Sequence, residues 1–402
     1  MNLWTRRQAL GGLLASGAAL AGAPQGWAKG LGGGVEQDQG GVPALSVPGI
    51  ISPAIIPPNG VAETQPRIKG IRRVIVDTDP GNDDALALLM ALAAPQLVVE
   101  AVTVCPGNMG AGAGAPGGAG GYEQQVRNAL FVVHVAGRDG EGAAGRVPVY
   151  RGMSHPLLNR PYPVATFIHG RYGLGDVAVP EVKQKVEAED AVDAMLRLVN
   201  AAPDEITILA LGGLTNIAMA MLRDGSFASK LKGIIFVGGR YAAPGMAPSY
   251  NVLVDPEAAH IVFTSGAAIT LNTSDISNRD SILVAADFDH AAAFNNRWSR
   301  FFIESNNLRR TYEMKYRGAT GSVNADPMAT ALAIDPSIGL KYMRVHVRVE
   351  LDGEYTRGQL VYGDDIYSGH PVPPGNVDMC VQADAAKFKA LVFSTLAKGP
   401  AV

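Results

Sequence analysis

The sequence predicts an α/β fold: a Rossmann-like, doubly wound, mostly parallel sheet with helices on both faces. Two observations predict it. Short strand-like runs alternate with longer helical runs from about residue 72 onward, and the polar clusters fall just after strands. In such sheets a ligand sits outside the carboxyl ends of the strands, so the active site is expected there.

The elements follow in order. "RRVIVD" (72–77) is a β-branched strand, and "ALALLMALAAP" (85–95) is a helix stopped by Pro95. "LVVEAVTV" (97–104) is the next strand, while "VRNALFVVHVAG" (126–137) fits helix or strand by pattern alone. Three helix–strand pairs then follow: "AVDAMLRLVNAAP" with "EITILAL", "LTNIAMAMLRDG" with "KGIIFVGG", and "PEAAHIVFTSG" with "AAITLN". The catalytic domain is expected to span 70–402.

Ahead of it lie two other segments. "TRRQAL" (5–10) precedes the moderately apolar run "GGLLASGAALAGA". That run is too short for a membrane span of about 20 apolar residues, and paired Arg6 and Arg7 point to a twin-arginine export signal over 1–28. Cleavage is expected near Ala23 or Ala28, leaving no stable membrane span; an uncleaved anchor is the alternative. In a bacterium the protein would be periplasmic or secreted. Residues 29–69, rich in Gly and Pro, read as a linker or extended arm.

Charge excludes some functions. The formal net charge is −3 and no Lys/Arg block marks a nucleic-acid footprint. Two cysteines, Cys105 and Cys380, are too few for a disulfide framework and read as buried small hydrophobes. The Gly/Ala tract "GNMGAGAGAPGGAGG" (107–121) lacks the Lys and Ser/Thr of a phosphate-cradling loop, so it reads as a mobile loop or lid.

Chemistry concentrates in "DTDPGNDD" (77–84), where Asp77, Asp79, Asp83 and Asp84 crowd one turn. A helix N-terminus favours each negative charge by only about 0.3–1 kcal/mol, too little for four. A divalent cation is the better neutraliser, and all-oxygen ligands call for a hard one, Ca2+ or Mg2+. Ordinary N-capping by Asp83 is the bland alternative.

"VIVDTDPGNDDALAL" resembles the N-terminal signature of the nucleoside hydrolases. "LALGGLTNIAMA" (209–220), "VGG" (237–239), "YNVLVDPEAAHIVF" (250–263), "ADPMATALAIDPS" (325–337) and "VELDGEYTRGQLV" (349–361) follow in that family's order. The resemblance implies Ca2+-dependent hydrolysis of the N-glycosidic bond of ribonucleosides, a nucleoside as the small-molecule partner, and a homodimer or homotetramer. It implies that Asp79, Asp84, Asp326 and the backbone carbonyl of Leu211 hold Ca2+, with Asp79 also the general base. Asp83, Asn108 and Asn251 would bind ribose hydroxyls, and Asp77 would be structural.

This chemistry suits the residue types. The cleavage passes through an oxocarbenium-like sugar, which needs nearby negative charge and an activated water. A bound metal lowers the pKa of water and positions it.

Three departures stand out. Where many relatives carry a histidine before the last metal aspartate, this chain has Ala325; general acid help is typically worth about 10²–10⁴-fold. Ser249 replaces a frequent Glu on the sugar's 5′ side, and the Gly/Ala tract replaces a more regular helical segment after Asn108. His169 in "IHGRYGLG" (168–175) is a candidate catalytic group near the base, with Arg171 and Tyr172 beside it. Tyr172 and Tyr250 are candidate base-stacking residues. Competing readings are an exported nucleoside- or ribose-binding protein without turnover, and a haloacid-dehalogenase-like phosphatase. The second is disfavoured by Pro80-Gly81 after "DTD".

Overall fold

Strand residues Val74 and Val76 bury themselves on one side of the sheet and Ile75 on the other, the alternation a two-faced sheet requires. The computed structural model describes residues 63–110, 121–140, 145–175, 177–241, 248–362 and 373–401. The expected export signal, the arm up to residue 62 and positions 111–120 of the Gly/Ala tract lie outside the described residues.

In chain order the strands are β1 (Glu63–Thr64), β2 (Arg73–Thr78), β3 (Val98–Val104), β4 (Val149–Arg151), β5 (Ile206–Ala210), β6 (Gly233–Val237), β7 (Ile269–Asn272), β8 (Ile282–Leu283), β9 (Ser322–Val323), β10 (Gly339–Val345), β11 (Val347–Val349), β12 (Leu360–Tyr362) and β13 (Val377–Ala383). Nine of them form one sheet in the order β1-β10-β13-β7-β6-β5-β2-β3-β4. Its pairings from β13 through β4 are parallel, whereas β10 runs antiparallel to β13 and to β1. Pairs β8–β9 and β11–β12 are separate antiparallel ladders.

The chain winds outward from β2 to β3 and β4, then returns to the other side of β2 to lay down β5, β6 and β7. The order therefore reverses between β2 and β5, and a crevice opens there at the strands' carboxyl ends. On one face the core includes Leu86, Val126, Phe302, Met328 and Phe388 from five helices. On the other it includes Met195, Ile217 and Val262 from three. The ambiguous 126–137 stretch lies in helix Gly121–Val135 and its short continuation.

Two helices matter most for the site. Asn82–Ala93 is buried from Asn82 to Leu92, and Ala325–Ile334 is buried from Asp326 to Ile334; the two pack together. A helix apolar nearly all round belongs inside, which explains the Ala/Leu/Met run of the first and the small, mostly apolar residues of the second. Among the described residues no helix is long and apolar enough to cross a membrane.

The described end of the arm is ordered against the sheet. Glu63 and Thr64 pair with Met343 and Tyr342 at its edge, Arg67 bonds Asp378, and Ile68 is buried. Cys105 and Cys380 are both free and buried.

Candidate active site

The helix that opens at Asn82 carries Asp83 and Asp84 in its first turn, and the helix that opens at Ala325 carries Asp326 in its own. Packing these helices side by side brings three carboxylates together: one oxygen from each of Asp83, Asp84 and Asp326 lies within 4.8 Å of the others, all buried. Three oxygen donors this close fit a hard divalent cation, while the two helix N-termini, which are dipole-positive, favour the carboxylates themselves. Asp79, at the end of β2, borders the same cavity but stands outside that group.

Asp79 lies in a cradle of glycines. A Cβ on Gly107 would fall 1.8 Å from its Oδ2, and one on Gly212 would fall 2.5 Å from its Oδ1. Asn108 closes the cradle, its backbone N–H donating to Asp79 Oδ2 (2.8 Å) and its Nδ2 to Asp84 Oδ2 (3.2 Å). Asp84 also accepts from Thr78 Oγ1 (2.6 Å) and from the Gly81 N–H (2.9 Å). The helix N-cap is Gly81, not Asp83, so the capping alternative for Asp83 does not hold.

Burial and mutual repulsion raise the proton affinity of these groups. Burial first, then Asp83, pushes Asp84 up to about 6. Asp79 is raised well above the usual carboxylate range by burial and by Asp84, and Asp326 by burial and by Asp83.

A cation built into the chain answers part of this repulsion. Arg309, buried on helix Arg297–Tyr316, places Nη1 2.8 Å from Asp83 Oδ1 and Nη2 3.5 Å from Glu313. Its Nε donates to the Val323 carbonyl (2.9 Å). The sequence reading missed Arg309. Its signal is the buried stripe Phe302, Ser305, Asn306, Arg309, Glu313, in which polar residues continue an apolar face at helical spacing.

Asn82 ties the parts together. Its Nδ2 donates to the Ile168 carbonyl (3.1 Å), so its Oδ1 is the acceptor facing Arg309 Nη1 (3.2 Å) and His169 Nδ1 (2.8 Å). The Asn82 backbone N–H also points at Nδ1 (3.3 Å), so Asn82 offers that nitrogen both an acceptor and a donor and satisfies either neutral tautomer of the ring. Burial pushes the His169 imidazole down to about 4, so the ring is neutral at pH 7.

The cavity, about 400 Å³, is lined by Asp79, Asp83, Asn108, His169, Leu211, Tyr250, Asn251 and Asp326 among the residues singled out from the sequence. Asn251 Nδ2 donates to the carbonyls of Leu211 (2.5 Å) and Val237 (2.9 Å), bridging the ends of β5 and β6. The Tyr250 hydroxyl donates to the Pro163 carbonyl (2.8 Å). Tyr172 is not brought to the cavity. It is 42% exposed, with the Arg171 guanidinium 5.6 Å from its ring centre.

A family model described as inosine-uridine preferring nucleoside hydrolase matches residues 74–390. The chain belongs to the nucleoside hydrolase family. It is 36% identical over 286 residues to uridine nucleosidase 1 of Arabidopsis thaliana, covering 70% of this chain and 79% of that one. To the inosine-uridine preferring nucleoside hydrolase of Crithidia fasciculata it is 33% identical over 331 residues, covering 81% and 97%. A solved plant nucleoside hydrolase, PpNRh1, superposes with a TM-score of 0.70 at 29% identity, covering 81% of this chain and 99% of the other. The resemblance read from the motifs is thus borne out, and the chain is an N-ribohydrolase, an enzyme that hydrolyses the N-glycosidic bond of ribonucleosides.

Several motif residues of this nucleoside hydrolase brace the site without lining it. Asp77 accepts from Thr103 Oγ1 (2.7 Å) and Asn216 Nδ2 (2.8 Å), and burial pushes it up to about 7. Asp255 accepts from Thr215 Oγ1 (2.7 Å) and the Leu157 N–H (2.8 Å). Thr215 and Asn216 of "GGLTNIAMAM" thus fasten two buried acids. Asn128 in "RNALFVVHV" likewise donates to the carbonyls of Pro80 (3.0 Å) and Tyr172 (2.8 Å). Arg357 is structural, reaching both Glu257 oxygens at 2.7 Å and so joining "VDPE" to "YTRGQ".

Proposed function

We propose that this nucleoside hydrolase works with a bound divalent cation, Ca2+, and uses Asp79 as its general base. The observation that carries the reading is the three-carboxylate cluster of Asp83, Asp84 and Asp326 on two packed helix N-termini, with Asp79 cradled beside it. Asp84 and Asp326, together with Asp79 and the Leu211 carbonyl, would hold the cation. When bound, Ca2+ supplies charge balance, orients the sugar hydroxyls and makes a water easier to deprotonate.

The chain's own groups do the rest. Asp79, held in place by Gly107, Gly212 and the Asn108 N–H, accepts a proton from the attacking water. Asp83, steadied by Arg309, is aimed to accept a hydrogen bond from a ribose hydroxyl, and Asn251 and Asn108 fix the sugar's orientation. The carboxylates favour the positive sugar of an oxocarbenium-like transition state. His169, neutral and bordering the cavity, helps position the substrate, and Ala325 supplies no acid for the departing base. The paired arginines at 6–7 support a periplasmic or secreted setting in a bacterium.

The test is ribose release from inosine, adenosine, guanosine, uridine and cytidine, with Ca2+ and with chelator. Calcium-dependent release is expected. Release that survives chelation would remove the cation from the mechanism, and binding without release would favour a binding protein.

A further inference from the structure

We propose that the end of the cavity formed by Arg240 and Ser249 is a subsite for a phosphate on the sugar's 5′ oxygen, so that the enzyme takes nucleoside 5′-monophosphates in preference to nucleosides. This rests on the N-ribohydrolase reading and adds the substrate class.

Three arginines line the cavity. Arg309 faces Asp83 and Glu313, and Arg317 approaches Glu313 (3.9 Å). Arg240 has no such partner: among the described residues no carboxylate lies within ion-pairing distance, and its buried Nε has no hydrogen-bond acceptor. A guanidinium nitrogen removed from water without an acceptor is costly, and its planar fork matches the oxygens of a phosphate.

The neighbourhood is mixed: the Tyr241 N–H, next to Arg240 in the chain, donates to Asp275 Oδ2 (2.6 Å), while neutral polar groups lie on the Ser249 side. Ser249 Oγ accepts the Gly239 N–H (2.6 Å), which leaves its own hydroxyl proton available to a ligand. Ser274 and Asn278 line the same cavity and add neutral polar groups.

The position is right as well. A sugar anchored at the crevice between β2 and β5 reaches Asn251, which bridges the ends of β5 and β6. Ser249 lies two residues before Asn251, and Arg240 follows the end of β6 by three residues. The sugar's 5′ carbon therefore points along the strand order toward β6 and β7. A carboxylate at position 249 would bind a 5′-hydroxyl and repel a phosphate; serine beside an arginine that meets no carboxylate among the described residues reverses that preference.

The reaction balances without further reagents. One water is consumed, its oxygen bonding C1′ while the C1′–N bond breaks. One hydrogen stays on the new hydroxyl and the other ends on the departing base, giving ribose 5-phosphate and free base.

The experiment compares uridine with uridine 5′-monophosphate, and inosine with inosine 5′-monophosphate, in the Ca2+-loaded enzyme. We expect kcat/KM to be at least tenfold higher for the monophosphates. Arg240→Gln should cut that ratio by tenfold or more, and Arg240→Lys should restore part of it. A calorimetric arm titrates ribose 5-phosphate against ribose, without turnover; tighter binding of the ester that is lost in Arg240→Gln supports the subsite. Equal binding of the two sugars, or a ratio unmoved by Arg240→Gln while nucleosides are cleaved, overturns it. Ester preference without release from any substrate would keep the subsite and remove the hydrolase reading instead.

Discussion

Arg309 Nη1 lies 2.8 Å from Asp83 Oδ1, and both side chains are buried. The pair sets a fixed cation against a cluster of acids, so the acids do not depend wholly on a dissociable one. Removing one member of a buried pair typically costs about 3–5 kcal/mol, because the other charge is left unmatched. Arg309→Met is therefore expected to lower unfolding stability by that order, and Arg309→Met with Asp83→Asn to lower it less. Urea unfolding of both variants checks this; a double variant no more stable than the single would contradict it.

Gly107→Ala is expected to displace Asp79, since the added Cβ would fall 1.8 Å from Oδ2. Misplacing a reacting group by about 1 Å can cost roughly 10² in rate, so kcat should fall by about that factor while far-ultraviolet circular dichroism stays unchanged. Gly225→Ala, with nothing within 4 Å of its Cβ, is the control and should retain full activity.

"DTDPGNDD" and Asp326 announced the acidic cluster because carboxylate density is visible in one dimension. The alternating strands and helices likewise announced the sheet. Arg309 was harder to see because its only local trace is a polar continuation of an apolar helix face, and its partner Asp83 is brought to it by the packing of one helix against another. Tyr172 was misplaced for the converse reason: it is near His169 in sequence, yet it faces outward.

Asp77 predicts a pH effect on stability. Burial lifts it from an ordinary value near 3.8 to about 7. A carboxyl raised on folding stabilises the fold at pH values below its unfolded pKa, and that contribution is lost as pH rises through the folded value. In chelator, the wild type should therefore lose a few kcal/mol relative to Asp77→Asn between about pH 4 and pH 7. Parallel unfolding profiles of the two proteins would refute it.

Cation binding should depend on pH in the opposite sense. Asp84 is raised to about 6 and Asp326 well above the usual range, so protons compete with the metal in acid. The increase in Tm on adding Ca2+ should be small at pH 5 and larger at pH 8. Asp326→Asn should reduce the increase at pH 8, and differential scanning calorimetry measures both.

His169 is neutral down to about pH 4, so it should contribute no ionisation near 6.5 to the pH–rate profile. His169→Gln is expected to leave the shape of that profile unchanged while raising KM. A limb near 6.5 in the wild type that vanishes in the variant would restore the imidazole as an acid.

Asp79 directly follows β2, early in the described chain, whereas Asp326 sits in the first turn of helix Ala325–Ile334, about 250 residues later. The two meet only after the intervening strands have paired and the last helices have docked. Contacts so distant in sequence are slow to form, and a ligand that binds only the finished arrangement adds its free energy only there. The acidic pocket is thus a checkpoint on the fold itself. A chain truncated before residue 325 would lack Asp326 and the helix that carries it, and a half-folded chain would have nothing with which to hold the ion.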